Sequence, residues 1–257
     1  MHDDGHHPER IRHVDVSARR EPPAPRQGVA WSVSPVDASG LGVVVAGWVI
    51  IAGITTIVGL AIVEWWVPSR FGAADADVNQ FFEARRTALL DELAHLGSAF
   101  SDTVTIVILG LVLIPLFLWW FRRWHEVGLI VGVTVLEVVC YLVPSRIVAR
   151  ERPPVEQISG PTNDHSFPSG HVAAAIVFYG ALALIVVWHT DRRWAEVTWM
   201  VIVFVVPTWV AWSRVYVGAH HVTDYVGSLI IGAGVLLVVA HVIRSEDRAP
   251  PVRDRRA

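Results

Sequence analysis

Six apolar runs dominate this chain and leave it few ways to fold. They cover 41–63, 103–121, 127–144, about 170–188, 197–212 and 225–243. A hydrocarbon core of ~30 Å takes roughly 20 helical residues to cross, and each run is of about that length. The fifth is the shortest and needs its flanking Thr and Trp residues at the interface. Trp65, Trp66, Trp119, Trp120, Trp188 and Trp212 stand at run ends, where interfacial anchors belong. Of the chain's 257 residues, 53% are hydrophobic and only 18% charged, which a soluble domain of this length would seldom show. The prediction is an integral membrane protein, an all-α bundle of six spans. A net charge of −3 gives no ground for a nucleic-acid partner. The single cysteine, Cys140, lies inside the third run. It can form neither an internal disulfide nor a thiolate metal cluster.

The flanks differ in composition. Residues 1–40 are polar, rich in His and Arg, and dotted with proline, without the short apolar core of a cleavable signal. They are predicted to be a disordered tail, with the histidines at 2, 6, 7 and 13 solvated. Residues 244–257 read as a second tail, leaving 41–243 as the folded domain. All 21 basic residues are arginine. If the N-terminus is cytoplasmic, fourteen arginines fall on the inside segments and seven outside. The positive-inside rule therefore puts both termini in the cytoplasm.

The segment 68–102 is more than a loop. Val78, Phe82, Leu89, Leu93, Leu96 and Phe100 recur at helical spacing, opposite Asp77, Glu83, Arg86 and Asp91. This predicts an extracytoplasmic amphipathic helix that packs on the bundle or lies on the membrane. Glu137 interrupts the third run. A carboxylate is costly against lipid, so it is expected to face the bundle interior, mid-span and away from the outer face.

Polar chemistry gathers in two loops. One, between the third and fourth runs, holds SRIVARERPP and FPSGH. The other, between the fifth and sixth, holds SRVYVGAHHVTD. The loops are two spans apart, so they open on the same side. Arg152 and Arg214 each offer a planar fork of donors to phosphate oxygens. Ser169 and Gly170 start the fourth helix, where free N–H groups and the dipole favour an anion. Gly170 carries no side chain to block its approach. Two histidines can divide a two-step displacement, one attacking phosphorus and one protonating the departing oxygen. His220 is the better nucleophile, because Asp224 stands four residues on. On a helix that spacing lets the carboxylate orient the ring. His171 is left as general acid. Neither a metal nor another cofactor is required by this arrangement. His221 is read as a neighbour on another helix face, and His165 as an exposed loop histidine. Asp164, which would repel phosphate, is expected to point away.

These motifs resemble the type 2 phosphatidic acid phosphatase (PAP2) superfamily, the membrane relatives of vanadium haloperoxidases. Its pattern is KX6RP, PSGH and SRX5HX3D. Pro168, Ser169, Gly170 and His171 match the second part in full. Ser213, Arg214, His220 and Asp224 match the third. The first is met only by Arg152 and Pro153. The family's lysine falls at Ser145, and the chain contains no lysine. Arg146, adjacent, and Arg150, nearby, are the candidates to supply that charge. A one-residue shift turns a helical side chain by ~100°, so Arg146 is no automatic substitute.

The resemblance implies a PAP2-like helical bundle and a phosphohistidine intermediate on His220. The expected activity is hydrolysis of a membrane lipid phosphate or polyprenyl (di)phosphate, with the active site on the extracytoplasmic face. A lipid-linked phosphotransferase would use the same groups. A vanadate-dependent haloperoxidase is disfavoured by the six spans. A non-catalytic lipid-binding or transport protein draws its support only from the missing lysine.

Overall fold

The computed structural model describes residues 38–122, 124–158 and 165–247. Among them are eight α-helices: α1 (Ala38–Ala61), α2 (Arg70–Glu83), α3 (Ala88–Ala99), α4 (Thr103–Phe121), α5 (His125–Val148), α6 (Gly170–His189), α7 (Arg193–Tyr216) and α8 (Asp224–Asp247). Six of them, α1 and α4 through α8, are long and apolar enough to cross a membrane. A π-helical turn at Ile62–Trp66 extends α1. The predicted disordered tails lie mostly outside the described residues. Their inner edges do not: α1 already includes residues 38–40, and α8 runs on through 244–247.

Two boundaries differ from the apolar pattern in ways that matter for the site. The fifth span is 24 residues rather than sixteen, because α7 takes in residues 193–196 at its start and 213–216 at its end, which puts Ser213 and Arg214 inside its last turn. Likewise Ser145 and Arg146 belong to the end of α5, which stops only at Ala149, in the left-handed conformation at φ 45°. Polar side chains at these helix ends hide the helix from a hydropathy count. Their backbones keep helical hydrogen bonds all the same.

The segment predicted as one amphipathic helix is two. Ser69 caps α2 by accepting from the N–H of Phe71, and Thr87 caps α3 by accepting from Leu90. The break falls at Arg85 and Arg86. Both helices pack on α7.

Around the core, α6 packs against α5, α7 and α8, and α1 closes the far side against α5 and α8. Phe178, Val177, Ala173 and Ala175 of α6 meet Leu129, Val133 and Cys140 of α5 and Ile231 and Val235 of α8 in one buried cluster. By contrast α4 lies at the periphery, with Val104, Leu111, Trp119 and Trp120 largely exposed. Contiguous apolar surface of this kind marks a face turned to lipid. The molecule is a multi-pass membrane protein.

Candidate active site

The loop leading into α6 is anchored by Phe167, which is completely buried. Its ring enters a slot between α1 and α8 that exists because both walls are glycine. A Cβ on Gly59 would stand 2.4 Å from the Phe167 ring, and one on Gly227 2.6 Å. Ser166 fixes the preceding turn: its N–H donates to the Arg150 carbonyl at 2.8 Å and its hydroxyl to that of Glu151 at 2.9 Å. On the other side, the Ser228 hydroxyl of α8 donates to the Ser169 carbonyl at 2.7 Å. Gly170 and His171 therefore open α6 at a fixed place.

His220 approaches the same place from a turn, not from a helix. α7 ends at Tyr216 and α8 begins at Asp224. Gly218 makes the turn at φ 75°, and a Cβ there would lie 2.8 Å from Val155. The expectation that helical spacing brings His220 and Asp224 together is corrected. The turn curls back, and Asp224 Oδ2 accepts the His221 N–H at 2.8 Å. His220 Nδ1 stands 3.5 Å from Asp224 Oδ2 but only 2.6 Å from the Ser166 carbonyl oxygen. A carbonyl can only accept, so Nδ1 carries the proton and Nε2 keeps its lone pair. Burial pushes the His220 pKa down to about 4, against the hydrogen bond and charge of Asp224. The ring is neutral at ordinary pH.

The turn is held from outside by α2. Asn79 Nδ2 donates to the carbonyls of Val215 and His220, at 3.1 and 3.0 Å. Asp75 accepts from the Val222 N–H, the Thr223 hydroxyl and Arg150 Nη2. Arg150 completes the network by donating to Asp224 Oδ1 at 2.6 Å. Both carboxylates and the guanidinium are buried.

Arg214 is differently placed. It is 4% exposed, yet the side chain to which it donates among the described residues is a neutral one, the Ser98 hydroxyl at 3.2 Å. Because the Ser213 hydroxyl donates to the Val210 carbonyl, it accepts from the Ser98 hydroxyl at 3.0 Å. Arg214 Nε and the buried hydroxyl of Ser169 are left without a hydrogen bond. A buried cation with an unmet donor calls for an anion. Arg152 reaches the Ala219 carbonyl through Nη1.

A cavity of about 400 Å³ joins these groups. Arg152, Gly170, His171, Arg214 and His220 line it, with Tyr141 and, deeper, Glu137, Val138 and Leu142 of α5. Next along the same α4–α5 crevice is an apolar groove of about 240 Å³, lined by Ile106, Gly110, Ile130 and Thr134. Glu137 does face the interior as expected, but its separation from the site is corrected: it forms part of the cavity wall. Helical spacing explains this, since Glu137 and Tyr141 are one turn apart on one face of α5.

The remaining candidates divide. Arg146 is exposed and does not line the cavity. Arg150 is committed to Asp75 and Asp224. Ser145, at the lysine position, is buried and donates to the Leu142 carbonyl of its own helix. His165 is half-buried rather than exposed, and it does not line the cavity. His221 is in the turn, not on a helix face. Asp164 lies outside the described residues. No group of three or more His, Cys, Asp or Glu side chains is gathered for a metal among the described residues.

Sequence reasoning missed Asp75, Asn79, Ser98, Asp102 and Ser166. Asp75 and Asn79 are four apart, a polar pair on one helical face, and that spacing was the available signal. Asp102 lies 2.8 Å through Oδ1 from His171 Nε2, and nothing in the spacing links residues so distant in the chain.

Known proteins bear on this arrangement. Residues 129–248 match the model of the PAP2 superfamily. The chain is 32% identical over 139 residues to "Putative undecaprenyl-diphosphatase YbjG" of Escherichia coli (strain K12), a match covering 51% of this chain and 64% of that protein. It is 29% identical over 119 residues to "Undecaprenyl-diphosphatase" of Sulfolobus acidocaldarius, covering 44% and 53%. The chain thus spans less than two thirds of either relative. Among solved structures, a transmembrane PAP2 type phosphatidylglycerolphosphate phosphatase from Bacillus subtilis superposes with a TM-score of 0.63 at 21% identity, over 83% of this chain and 98% of that one. The fold is that of a membrane PAP2 protein.

Proposed function

We propose that this chain, which carries the PAP2 superfamily match on a membrane PAP2 fold, hydrolyses a lipid phosphate or polyprenyl diphosphate at the cavity between α4, α5 and α6. The observation that carries the reading is Arg214. Its charge is buried within electrostatic reach of both histidines, with Nε unmatched, as is the hydroxyl of Ser169 at the N-cap of α6. A phosphoryl group supplies the charge and the acceptors that these donors lack. Arg152, Ser169 and the first N–H groups of α6 at Gly170 complete its cradle.

His220 is the nucleophile. Its Nε2 attacks phosphorus while Nδ1–H stays on the Ser166 carbonyl, and Asp224 stabilises the ring as it becomes cationic. The P–O bond to the lipid breaks as His171 protonates the departing oxygen. Water then attacks the phosphohistidine, gives a proton to His171, and returns the electron pair to Nε2. Inorganic phosphate and the dephosphorylated lipid leave. The apolar groove along α4 and α5 suits a substrate whose tail stays in the bilayer, and the names of the two sequence relatives favour a polyprenyl diphosphate. The arginine distribution supports an active site on the extracytoplasmic face, with both termini in the cytoplasm.

The test is phosphate release by purified protein from undecaprenyl diphosphate, phosphatidic acid and phosphatidylglycerol phosphate in detergent. Release by wild type that is lost in His220→Ala is expected. Equal release by both would sink the mechanism.

A further inference from the structure

Asp102 is built against its usual role. It is the N-cap residue of α4, a place where aspartate normally accepts from the N–H groups of the first turn. Here it makes no cap hydrogen bond. Its carboxylate turns instead to His171, with Oδ1 2.8 Å from Nε2. The turn that carries it is tied to the catalytic helices: the Tyr179 hydroxyl of α6 donates to the Phe100 carbonyl at 3.0 Å, and Arg214 donates to Ser98. The bond to His171 also holds the Asp102 carboxyl below the usual carboxylate range, against partial burial.

We propose that Asp102 is a positioning residue that holds the general acid by its Nε2–H, so that His171 delivers its proton to the leaving oxygen from Nδ1. A carboxylate only accepts, so Nε2 keeps its hydrogen throughout the cycle. Nδ1 is the ring nitrogen left for the substrate. In the first step the Nδ1–H proton goes to the oxygen leaving phosphorus, and the ring becomes neutral. In the second, Nδ1 takes a proton from the attacking water. Asp102 stays ionised and takes up no proton in either step. It fixes the ring and favours the charged form that the first step requires. Each of the two histidines then has an acceptor on the nitrogen turned away from phosphorus: Ser166 for His220, Asp102 for His171.

The inference rests on the proposed phosphatase reading, and leaving-group dependence separates the two. Alcohol release in a single turnover is followed for Asp102→Asn and Asp102→Ser, the second of which keeps a capping side chain. The substrates are phosphatidic acid, phenyl phosphate and p-nitrophenyl phosphate. A departing nitrophenolate needs no proton, whereas an alkoxide does. A positioned acid supplies about 10²–10⁴-fold. Both variants should therefore lose about 10- to 100-fold on phosphatidic acid and phenyl phosphate, in rate rather than in KM, and should nearly match wild type on the nitrophenyl ester. Asp102→Glu should recover part of the loss. Equal losses on all three substrates, or wild-type rates throughout, would overturn the role of Asp102 and leave the phosphatase reading intact. A wild-type protein that releases no phosphate from any of them, nor from undecaprenyl diphosphate, would overturn that reading itself.

Discussion

The Nδ1–H of His220 donates to the carbonyl oxygen of Ser166 at 2.6 Å. A backbone atom, in a loop that Phe167 pins between two helices, therefore sets the tautomer of the proposed nucleophile. Asp224, at 3.5 Å from the same nitrogen, contributes charge more than direction.

That division makes Asp224→Asn informative. Where a carboxylate alone holds a catalytic histidine, its amide costs ~10⁴-fold because the wrong tautomer forms. Here the Ser166 carbonyl still demands a proton on Nδ1. The expected loss in kcat is roughly 10- to 100-fold, well short of the complete loss in His220→Ala. Steady-state phosphate release measures both. A loss as large as that of His220→Ala would show that Asp224, not Ser166, sets the tautomer.

Arg150 and Arg152 should fail in different ways. Arg150 neutralises buried Asp75 and Asp224. Arg150→Met leaves two uncompensated carboxylates, and breaking a buried pair costs about 3–5 kcal/mol. Its melting temperature in detergent should fall markedly. Arg152 lines the cavity, so Arg152→Met should raise KM while the melting temperature stays near wild type. The reverse pattern would exchange their roles.

The pH dependence follows from His220. Its pKa is about 4 in the folded chain, against an ordinary value of 6.5. Between those values the unfolded chain binds a proton that the folded one refuses. The contribution of this group is thus fully present above pH 6.5 and is lost as pH falls toward 4. Thermal melts across that window should show wild type losing stability more steeply than His220→Gln. Parallel curves would contradict the buried neutral ring.

Gly227 tests the seat of Phe167. An added methyl would lie 2.6 Å from the ring, and overpacking of this sort costs about 1–3 kcal/mol. Gly227→Ala should lower both stability and phosphate release, since the displaced ring carries Ser166 and Ser169 with it. Gly227→Ala combined with Phe167→Leu should recover part of each. Without that recovery, the glycine acts through something other than the ring.

Much of this was legible in the residues, because each part had a local signal. Apolar length predicts the six spans, and the motif residues His171, Arg214 and His220 meet at one cavity. The helix ends at Ser145 and Ser213 were not legible, since hydropathy reports the solvent a side chain prefers and not the hydrogen bonding of its backbone. Neither were the partners. Ser166 acts through a carbonyl that every residue possesses, and Asp102 and Asp75 reach the site by tertiary packing over some seventy residues of chain or more. Glu137 misled for a geometric reason: depth along a span was read as distance, although the cavity descends between α4 and α5.

Asp75, Asn79, Ser98 and Asp102 all precede residue 129, where the match to the PAP2 model begins. The stretch that matches the PAP2 model is thus not a self-sufficient module. Expressed alone, it would keep both histidines and both cavity arginines but lose the scaffolding that aims them. A transplant of this site into another membrane bundle would have to carry α2, α3 and the first turn of α4 with it.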